Sequence, residues 1–271
     1  MPAEGYLEVP GARLFHRIQG SGPVLLLLPG GDGDADASST LAARLSGSRT
    51  VVTYDRRGLS RSVPEDPGAT PGVARHADDA AAVLAAVTDR PADVFGTSIG
   101  AVIGIELLCR APDGVRRLVA HEPPLTQFLP EADRPAAVEG QLAVERAFEA
   151  GGVQAAMAAF AGLAGFDPSD REPDVEVRPP DARRLANLEF FITRDAPAVR
   201  QHEVDVDVLR SVADKLVLGA GEGSGGSVRP GLIARRLAEL LGCPVEEFPG
   251  LHNAPTLRPA AVTARLLEIL D

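Results

Sequence analysis

The chain has 271 residues, of which 45% are hydrophobic and 24% are charged. Its formal net charge of −11 excludes the basic surface that nucleic acids require, and the same acidity disfavours anionic membranes. Two cysteines without metal-ligand spacing indicate neither a disulfide framework nor a metal site. Residues 1–9 lack the pattern of a signal peptide, and the apolar run at 24–28 is too short to span a membrane. We therefore expect a cytoplasmic location and neither nucleic acid nor a membrane as partner.

The first half of the chain alternates predicted strands and helices. A turn dipeptide, Pro10-Gly11, separates two strands of an antiparallel hairpin, and the apolar runs that follow are typical of strands buried on both faces of a parallel sheet. The predicted strands are residues 6–9, 12–18, 24–28, 50–54, 92–95 and 115–120, and the predicted helices are 39–45, 75–87 and 98–110. This order predicts right-handed βαβ units and a mostly parallel α/β sheet with helices on both faces.

The alternation stops after Pro124. Residues 125–207, hereafter the insertion, show helical patterns at 136–150, 153–163 and 181–193 and no pattern of a buried strand. Strands resume at 215–220 and 244–248, with helices at 233–241 and 258–270. We therefore predict one eight-stranded sheet built from residues 1–124 and 208–271. The insertion is too long to be an ordinary loop, so we expect it to have a function.

Five residues, Gly96-Thr97-Ser98-Ile99-Gly100, lie between a predicted strand and a predicted helix. A G-x-S-x-G turn in this context is typical of a nucleophile elbow, in which the serine is strained and exposed at the helix N-terminus. A serine nucleophile needs a base, and His252 follows a late strand, where it would reach the same edge of the sheet. His16, His76 and His202 are assigned structural or surface positions, His76 as an exposed residue near a helix start.

A second glycine-rich segment, residues 221–226, formally matches G-x-G-x-x-G after a strand, and Glu246 lies where a ribose-binding acid would be expected. This pattern would indicate a dinucleotide-binding oxidoreductase. Only one further strand follows it, which is too little for a mononucleotide-binding half. It also leaves Ser98 and His252 unexplained, so we set this interpretation aside.

Four motifs in this order resemble those of the α/β-hydrolase superfamily. Residues 29–31 (Pro-Gly-Gly) resemble its oxyanion loop, with proline in place of histidine, and residues 54–62 resemble its D-x-R-G-x-G-x-S segment, with Ser60 in place of the second glycine. Residues 96–100 match the elbow and 248–252 the histidine loop. The resemblance covers nearly the whole chain. It implies that the insertion is a cap over the site and that the amides of Gly31 and Ile99 form the oxyanion hole.

The acid of the triad stays open. Members of the superfamily usually carry an aspartate where this chain has Ser224, so Glu222 would have to act from a shifted position. Some members instead carry the acid after the earlier strand, where this chain has Glu122. We favour Glu122, keep Glu222 as the alternative, and note that Glu122 could also have a purely structural role.

The sequence therefore predicts a cofactor-independent serine hydrolase that forms an acyl-enzyme at Ser98. The expected substrate is an ester, lactone or thioester of a moderately apolar small molecule, and the residues expected around it are Gly30, His121, Phe128, Phe190 and Phe191. Hydrolysis of a carbon–carbon bond beside a ketone, or a binding protein with impaired catalysis, are the alternatives. Epoxide and haloalkane substrates are disfavoured because such relatives usually have an aspartate at the Ser98 position. Monomer and homodimer are both open.

Overall fold

The computed structural model describes residues 2–177, 179–224 and 229–271. A nine-stranded sheet lies at its centre, in the order β1-β2-β4-β3-β6-β7-β8-β9, with the short β5 paired to β2. The strands are β1 (Ala3–Val9), β2 (Ala12–Gly20), β3 (Val24–Leu28), β4 (Thr50–Tyr54), β5 (Val63–Pro64), β6 (Ala92–Thr97), β7 (Val115–His121), β8 (Leu216–Gly221) and β9 (Val245–Phe248). The eight predicted strands are confirmed, and β5 is a ninth of only two residues.

The sheet is parallel from β4 to β9, while β1 and β2 pair antiparallel at one edge. Along β3, Leu25 and Leu27 belong to one buried apolar cluster, and Leu26 and Leu28 belong to another. Because successive strand side chains point to opposite faces, both faces of the sheet are buried, as the continuous apolar run predicts.

Helices cover both of these faces. The helices are α1 (Ser39–Leu45), α2 (Val73–Val87), α3 (Ile99–Arg110), α4 (Arg134–Ala164), α5 (Ala182–Phe190), α6 (Ala196–Gln201), α7 (Val206–Ser211), α8 (Arg229–Leu241), α9 (Ala254–Leu257) and α10 (Pro259–Leu270). Buried residues of α1 and α10 pack in the cluster of Leu25, and those of α2, α3 and α8 pack in the cluster of Leu26. The predicted α/β class is thus confirmed.

The insertion contains α4 to α6, joined by a π-helical turn at Phe191–Asp195. Non-helical dihedral angles at Gly151 and Gly152, with φ of 68° at Gly152, break α4 into the two helices that the sequence predicts. By length and composition alone, the described segment Glu131–Ala164 could cross a membrane. The break at Gly151 and Gly152 means that no unbroken helix runs the whole length of this segment.

Candidate active site

Ser98 lies in a strained turn between β6 and α3. Its φ of 55° and ψ of −125° are unusual for a residue with a side chain and cost on the order of 1–3 kcal/mol. The flanking glycines make the turn sterically possible. A Cβ at Gly96 would lie 2.4 Å from the Gly100 carbonyl oxygen, and one at Gly100 would lie 1.9 Å from that of Leu28. These contacts account for both glycines of the elbow.

His252 lies in the loop between β9 and α9, and its side chain is held by a carboxylate. Its Nδ1 is 2.7 Å from Oε2 of Glu122, and the two side chains are 4% and 0% exposed. Glu122 follows β7 directly and has a φ of 49°, which turns its side chain from the strand toward His252. Because β7, β8 and β9 are neighbouring parallel strands, the end of β7 and the loop after β9 lie at the same end of the sheet.

The second carboxylate oxygen of Glu122 is also bound. Its Oε1 accepts a hydrogen bond of 2.9 Å from the backbone N–H of Gly221, at the end of β8. Burial raises the pKa of Glu122, but the hydrogen bond from His252 and the neighbouring imidazoles outweigh it and lower the pKa to about 2. The carboxylate is therefore ionised at neutral pH and can only accept hydrogen bonds, so the proton of neutral His252 lies on Nδ1. Its Nε2 keeps a free lone pair.

The carboxylate that binds His252 is not that of Glu222, and Ser224 has no carboxylate. The side chain of Glu222 is exposed, and its backbone N–H donates to the Phe248 carbonyl oxygen at 2.8 Å. Ser224 is fully buried at the position where the resemblance implies an acid. Of the two predicted candidates, it is Glu122 that contacts His252. The last two glycines of the 221–226 motif lie outside the described residues.

The loop after β3 (residues 29–33, hereafter the glycine loop) passes close to Ser98. A Cβ at Gly30 would lie 3.5 Å from Cβ of Ser98, and one at Gly31 would lie 2.9 Å from the ring of Phe191. On the other side of Ser98, Ile99 is the first residue of α3, and the first N–H groups of a helix have no acceptor within the helix. Backbone donors of both segments are therefore available near the serine.

Two cavities meet at Ser98, and both are lined by Ser98, His252 and Phe160. The first has a volume of about 80 Å³ and is walled by the glycine loop together with polar residues such as Asn253 and Thr256. The second has a volume of about 90 Å³ and lies beneath the insertion. Its walls are mostly apolar, with Val144, Leu163, Phe191, Ile192, Val199 and Ile233 among them.

Not all of the residues predicted around the substrate line these two cavities. His121 is fully buried behind the site, stacked on His252 with ring centroids 6.5 Å apart, and lines neither cavity. Phe128 packs against the core, and Phe190 covers Gly58, where a Cβ would lie 2.7 Å from its ring. Neither phenylalanine lines the two cavities, whereas Gly30 lines the first and Phe191 lines the second. A helical pattern identifies which residues are apolar but not which of them face a cavity rather than the core.

Sequence reasoning missed a buried polar group on which the glycine loop rests. It consists of Arg56 after β4, His76 in α2 and Asp195 in the π-helical turn. His76 is 2% exposed, so its predicted exposed position is wrong. The doublet Arg56-Arg57 inside the 54–62 motif was the one available signal, because arginines directly after a buried strand require buried partners.

Comparisons with known proteins agree with this architecture. The family model described as the alpha/beta hydrolase fold matches residues 23–185. A hydrolase of uncharacterised activity from Bacillus subtilis strain 168, YraK, is 33% identical over 98% of this chain and 96% of its own length.

Solved structures show the same fold at lower identity. A protein from Pseudomonas aeruginosa provisionally named an epoxide hydrolase superposes with a TM-score of 0.73 at 23% identity, covering 99% of this chain and 95% of its own. The carboxylesterase CesB from Bacillus subtilis superposes with a TM-score of 0.70 at 18% identity, covering 100% of this chain and 92% of its own. Proteins named for different reactions thus share the fold.

Proposed function

Because the chain belongs to the α/β-hydrolase fold family, we propose that it is a serine hydrolase that cleaves an acyl bond through an acyl-enzyme at Ser98. One observation carries the proposal. Ser98, in its strained elbow, lines the same two cavities as His252, and Nδ1 of His252 is held by Glu122. A serine with a base, and a base with an orienting acid, is the constellation that acyl transfer requires.

The proton transfers follow from the protonation states. His252 holds its proton on Nδ1 against Glu122 and presents Nε2 as the general base for the Ser98 hydroxyl. After the serine attacks the carbonyl carbon, the imidazolium that forms returns its proton to the leaving group. Water then attacks the acyl-enzyme with His252 again as base, and the imidazolium gives this proton to the Ser98 oxygen as the acid product leaves. The ionised Glu122 stabilises the imidazolium throughout and keeps its own charge.

The oxyanion of the tetrahedral intermediate requires preorganised N–H donors. We assign them to Gly31 in the glycine loop and Ile99 at the start of α3. The proximity of the loop to Ser98 and the free N–H groups at a helix N-terminus support this assignment. Loss of one such donor lowers kcat by about 10² to 10³ in serine hydrolases. The proline at position 29 does not weaken the hole, since the donors are backbone groups.

The two cavities support a small substrate with unlike ends. The apolar cavity beneath the insertion suits an alkyl or aryl group, and the cavity along the glycine loop suits a smaller, more polar group. In the apolar cavity Gln141 contributes a buried Oε1 that has no hydrogen-bond partner among the described residues. We therefore propose an ester, lactone or thioester with an apolar part of a few carbons that carries a hydrogen-bond donor. An epoxide is disfavoured, because the resemblance implies that epoxide-cleaving members of the superfamily usually have an aspartate at the Ser98 position.

A fluorophosphonate probe tests the proposed function. The folded wild-type protein should become labelled on the peptide that contains Ser98, and Ser98→Ala should take up no label at that peptide. Hydrolysis of p-nitrophenyl esters of increasing chain length should proceed in the wild type only. An unlabelled Ser98 in folded protein, or equal labelling of Ser98→Ala, would show that the proposal is wrong.

A further inference from the structure

Arg56 contacts three successive carbonyl groups of the glycine loop. Its Nη1 donates to the oxygens of Gly30 at 2.8 Å and Pro29 at 3.3 Å, and its Nη2 donates to that of Gly31 at 3.2 Å. The side chain is 1% exposed, so the guanidinium itself is shielded from water. A guanidinium is suited to this task because its donors are fixed in one plane, unlike the single ammonium of lysine.

These three bonds determine where the amide N–H groups of the loop point. In a planar trans peptide, the C=O of one residue and the N–H of the next point in opposite directions. With the carbonyls of residues 29–31 turned to Arg56, the N–H groups of Gly30, Gly31 and Asp32 are turned away from it. Ser98 lies beside this loop, with its Cβ 3.5 Å from the site of a Cβ at Gly30.

Gly33 leaves space for the guanidinium, and Asp195 binds it. Gly33 has a φ of 49°, and a Cβ there would lie 2.2 Å from Nη1 of Arg56, so the loop leaves room for this side chain. Asp195 accepts from Nη2 at 2.6 Å and is itself 3.2 Å from Nε2 of His76. Burial raises the pKa of Asp195, but Arg56 and His76 lower it below its usual range, so the carboxylate is charged.

Net stability is a poor explanation for such a pair. The desolvation of two buried charges offsets most of their attraction, and apolar replacements of such pairs are often as stable. The geometry is more informative, because Asp195 belongs to the insertion and Arg56 to the sheet. The pair joins the insertion to the loop that passes Ser98.

We propose that Arg56 is a positioning residue for the oxyanion hole, an inference that rests on the proposed function. Arg56 turns the N–H groups of the glycine loop toward Ser98, and Asp195 of the insertion keeps its guanidinium in register. Arg56 does not touch the substrate; it acts through the loop backbone. The insertion therefore supports transition-state stabilisation as well as enclosing the substrate.

The test compares Arg56→Lys with Arg57→Lys. Arg57 is also buried and binds a carboxylate and a backbone carbonyl, but these belong to Asp79 and Pro10 rather than to the glycine loop. For p-nitrophenyl butyrate, Arg56→Lys should lower kcat by about 100-fold with KM changed less than about threefold, because displaced donors fail mainly in the transition state. Arg57→Lys should keep kcat within about twofold of wild type, since it reduces stability alone.

A second readout separates positioning from general damage. The inhibition constant of an alkyl trifluoromethyl ketone, which forms an oxyanion on Ser98, should rise in Arg56→Lys by about the same factor as kcat falls. Unchanged kcat and unchanged inhibition in folded Arg56→Lys would overturn the proposal, as would an equal loss in Arg57→Lys.

If Arg56→Lys does not fold, Asp195→Asn decides. It keeps the shape and removes the charge, and should lower kcat and ketone affinity together by about tenfold. Unchanged values in folded Asp195→Asn would overturn the proposal. If the wild type is active and the variant is unaffected, only the positioning role of Arg56 is refuted. If fluorophosphonate does not label the wild type at Ser98, the proposed function is refuted and the positioning role with it.

Discussion

The carboxyl ends of the central strands and the insertion are held in place by different means. At the carboxyl ends of β6 and β7, Ser98 and Glu122 have positive φ angles, and their backbone N–H groups donate to the neighbouring strands. The insertion is held onto the core by side chains, among them Asn187, Asp195 and Arg184. The reacting groups are thus fixed by the backbone, whereas the insertion is held by apolar packing and by a few polar side-chain contacts.

The contacts of the insertion also differ among themselves in burial. Asn187 is 2% exposed and donates to Ser60, Asp34 and the backbone of Asp32. Arg184 pairs with Asp32 at the exposed rim. Because buried polar contacts cost more to lose than exposed ones, a substitution of Asn187 should lower the free energy of unfolding more than a substitution of Arg184.

The largest effect is expected at the carboxyl ends of the strands, where His252 lies. His252→Ala should lower kcat by about 10⁴ to 10⁶, since removal of the base of a triad costs about as much as removal of the nucleophile. Steady-state kinetics on an activated ester measures the loss. His202→Ala, in the insertion beside Glu106, serves as the control and should keep kcat nearly unchanged. An equal loss in the control would contradict the comparison.

A pH dependence of stability is expected at His121. Burial lowers the pKa of His121 to about 4, against 6.5 for the free side chain. Between these values the unfolded chain binds the proton and the folded chain does not, so stability falls as pH drops from about 6.5 to 4. The contribution is at most about 3 kcal/mol.

Urea denaturation at several pH values measures this dependence. His121→Asn removes the titration, so the difference in unfolding free energy between wild type and variant should change across this range. His16 stays in both proteins, and burial also lowers its pKa, so the comparison cancels its contribution. A difference that is constant with pH would show that His121 is protonated alike in both states.

A smaller effect is expected for Asn187→Ala in the insertion. The variant leaves the partly buried N–H and hydroxyl of Ser60 without this partner, which should cost about 1–2 kcal/mol of unfolding free energy. Proteolysis within residues 125–207 should become faster. Thr193→Ala, at an exposed site of the same segment, should change stability by less than about 0.5 kcal/mol. Matching losses in the two variants would mean that Asn187 does not hold the insertion.

The smallest effect is expected for Arg184→Ala. Its pair with Asp32 is half exposed on the arginine side, so the change should cost less than about 1 kcal/mol and should vanish at high salt. Thermal unfolding at low and high ionic strength measures it. A larger, salt-independent loss would place Arg184 among the essential contacts.

Much of the fold could be predicted because its signals are local. Apolar runs identify the strands, and the glycines of 96–100 identify the elbow, since each pattern records a requirement of neighbouring backbone. Ser60 shows how a local rule can be met in another way. It has a φ of 48° where the motif has glycine, and its hydroxyl donates to Asp34 at 2.8 Å.

The remainder depends on contacts between distant parts of the chain. Nothing near Asp195 indicates that it pairs with Arg56, which lies 139 residues away in the sequence. Likewise, the sequence leaves Glu122 and Glu222 as equal chemical types, and only the three-dimensional arrangement brings Glu122 to His252. Partners of buried charges are therefore the part that sequence patterns leave open.

The most direct test of the central claim compares Glu122→Gln with Glu222→Gln. Both variants remove one negative charge, but only Glu122 contacts His252. The account predicts that kcat/KM for an activated ester falls by about 10³ to 10⁴ in Glu122→Gln and stays within about twofold in Glu222→Gln. A loss of less than about tenfold in Glu122→Gln, or a larger loss in Glu222→Gln, would contradict it.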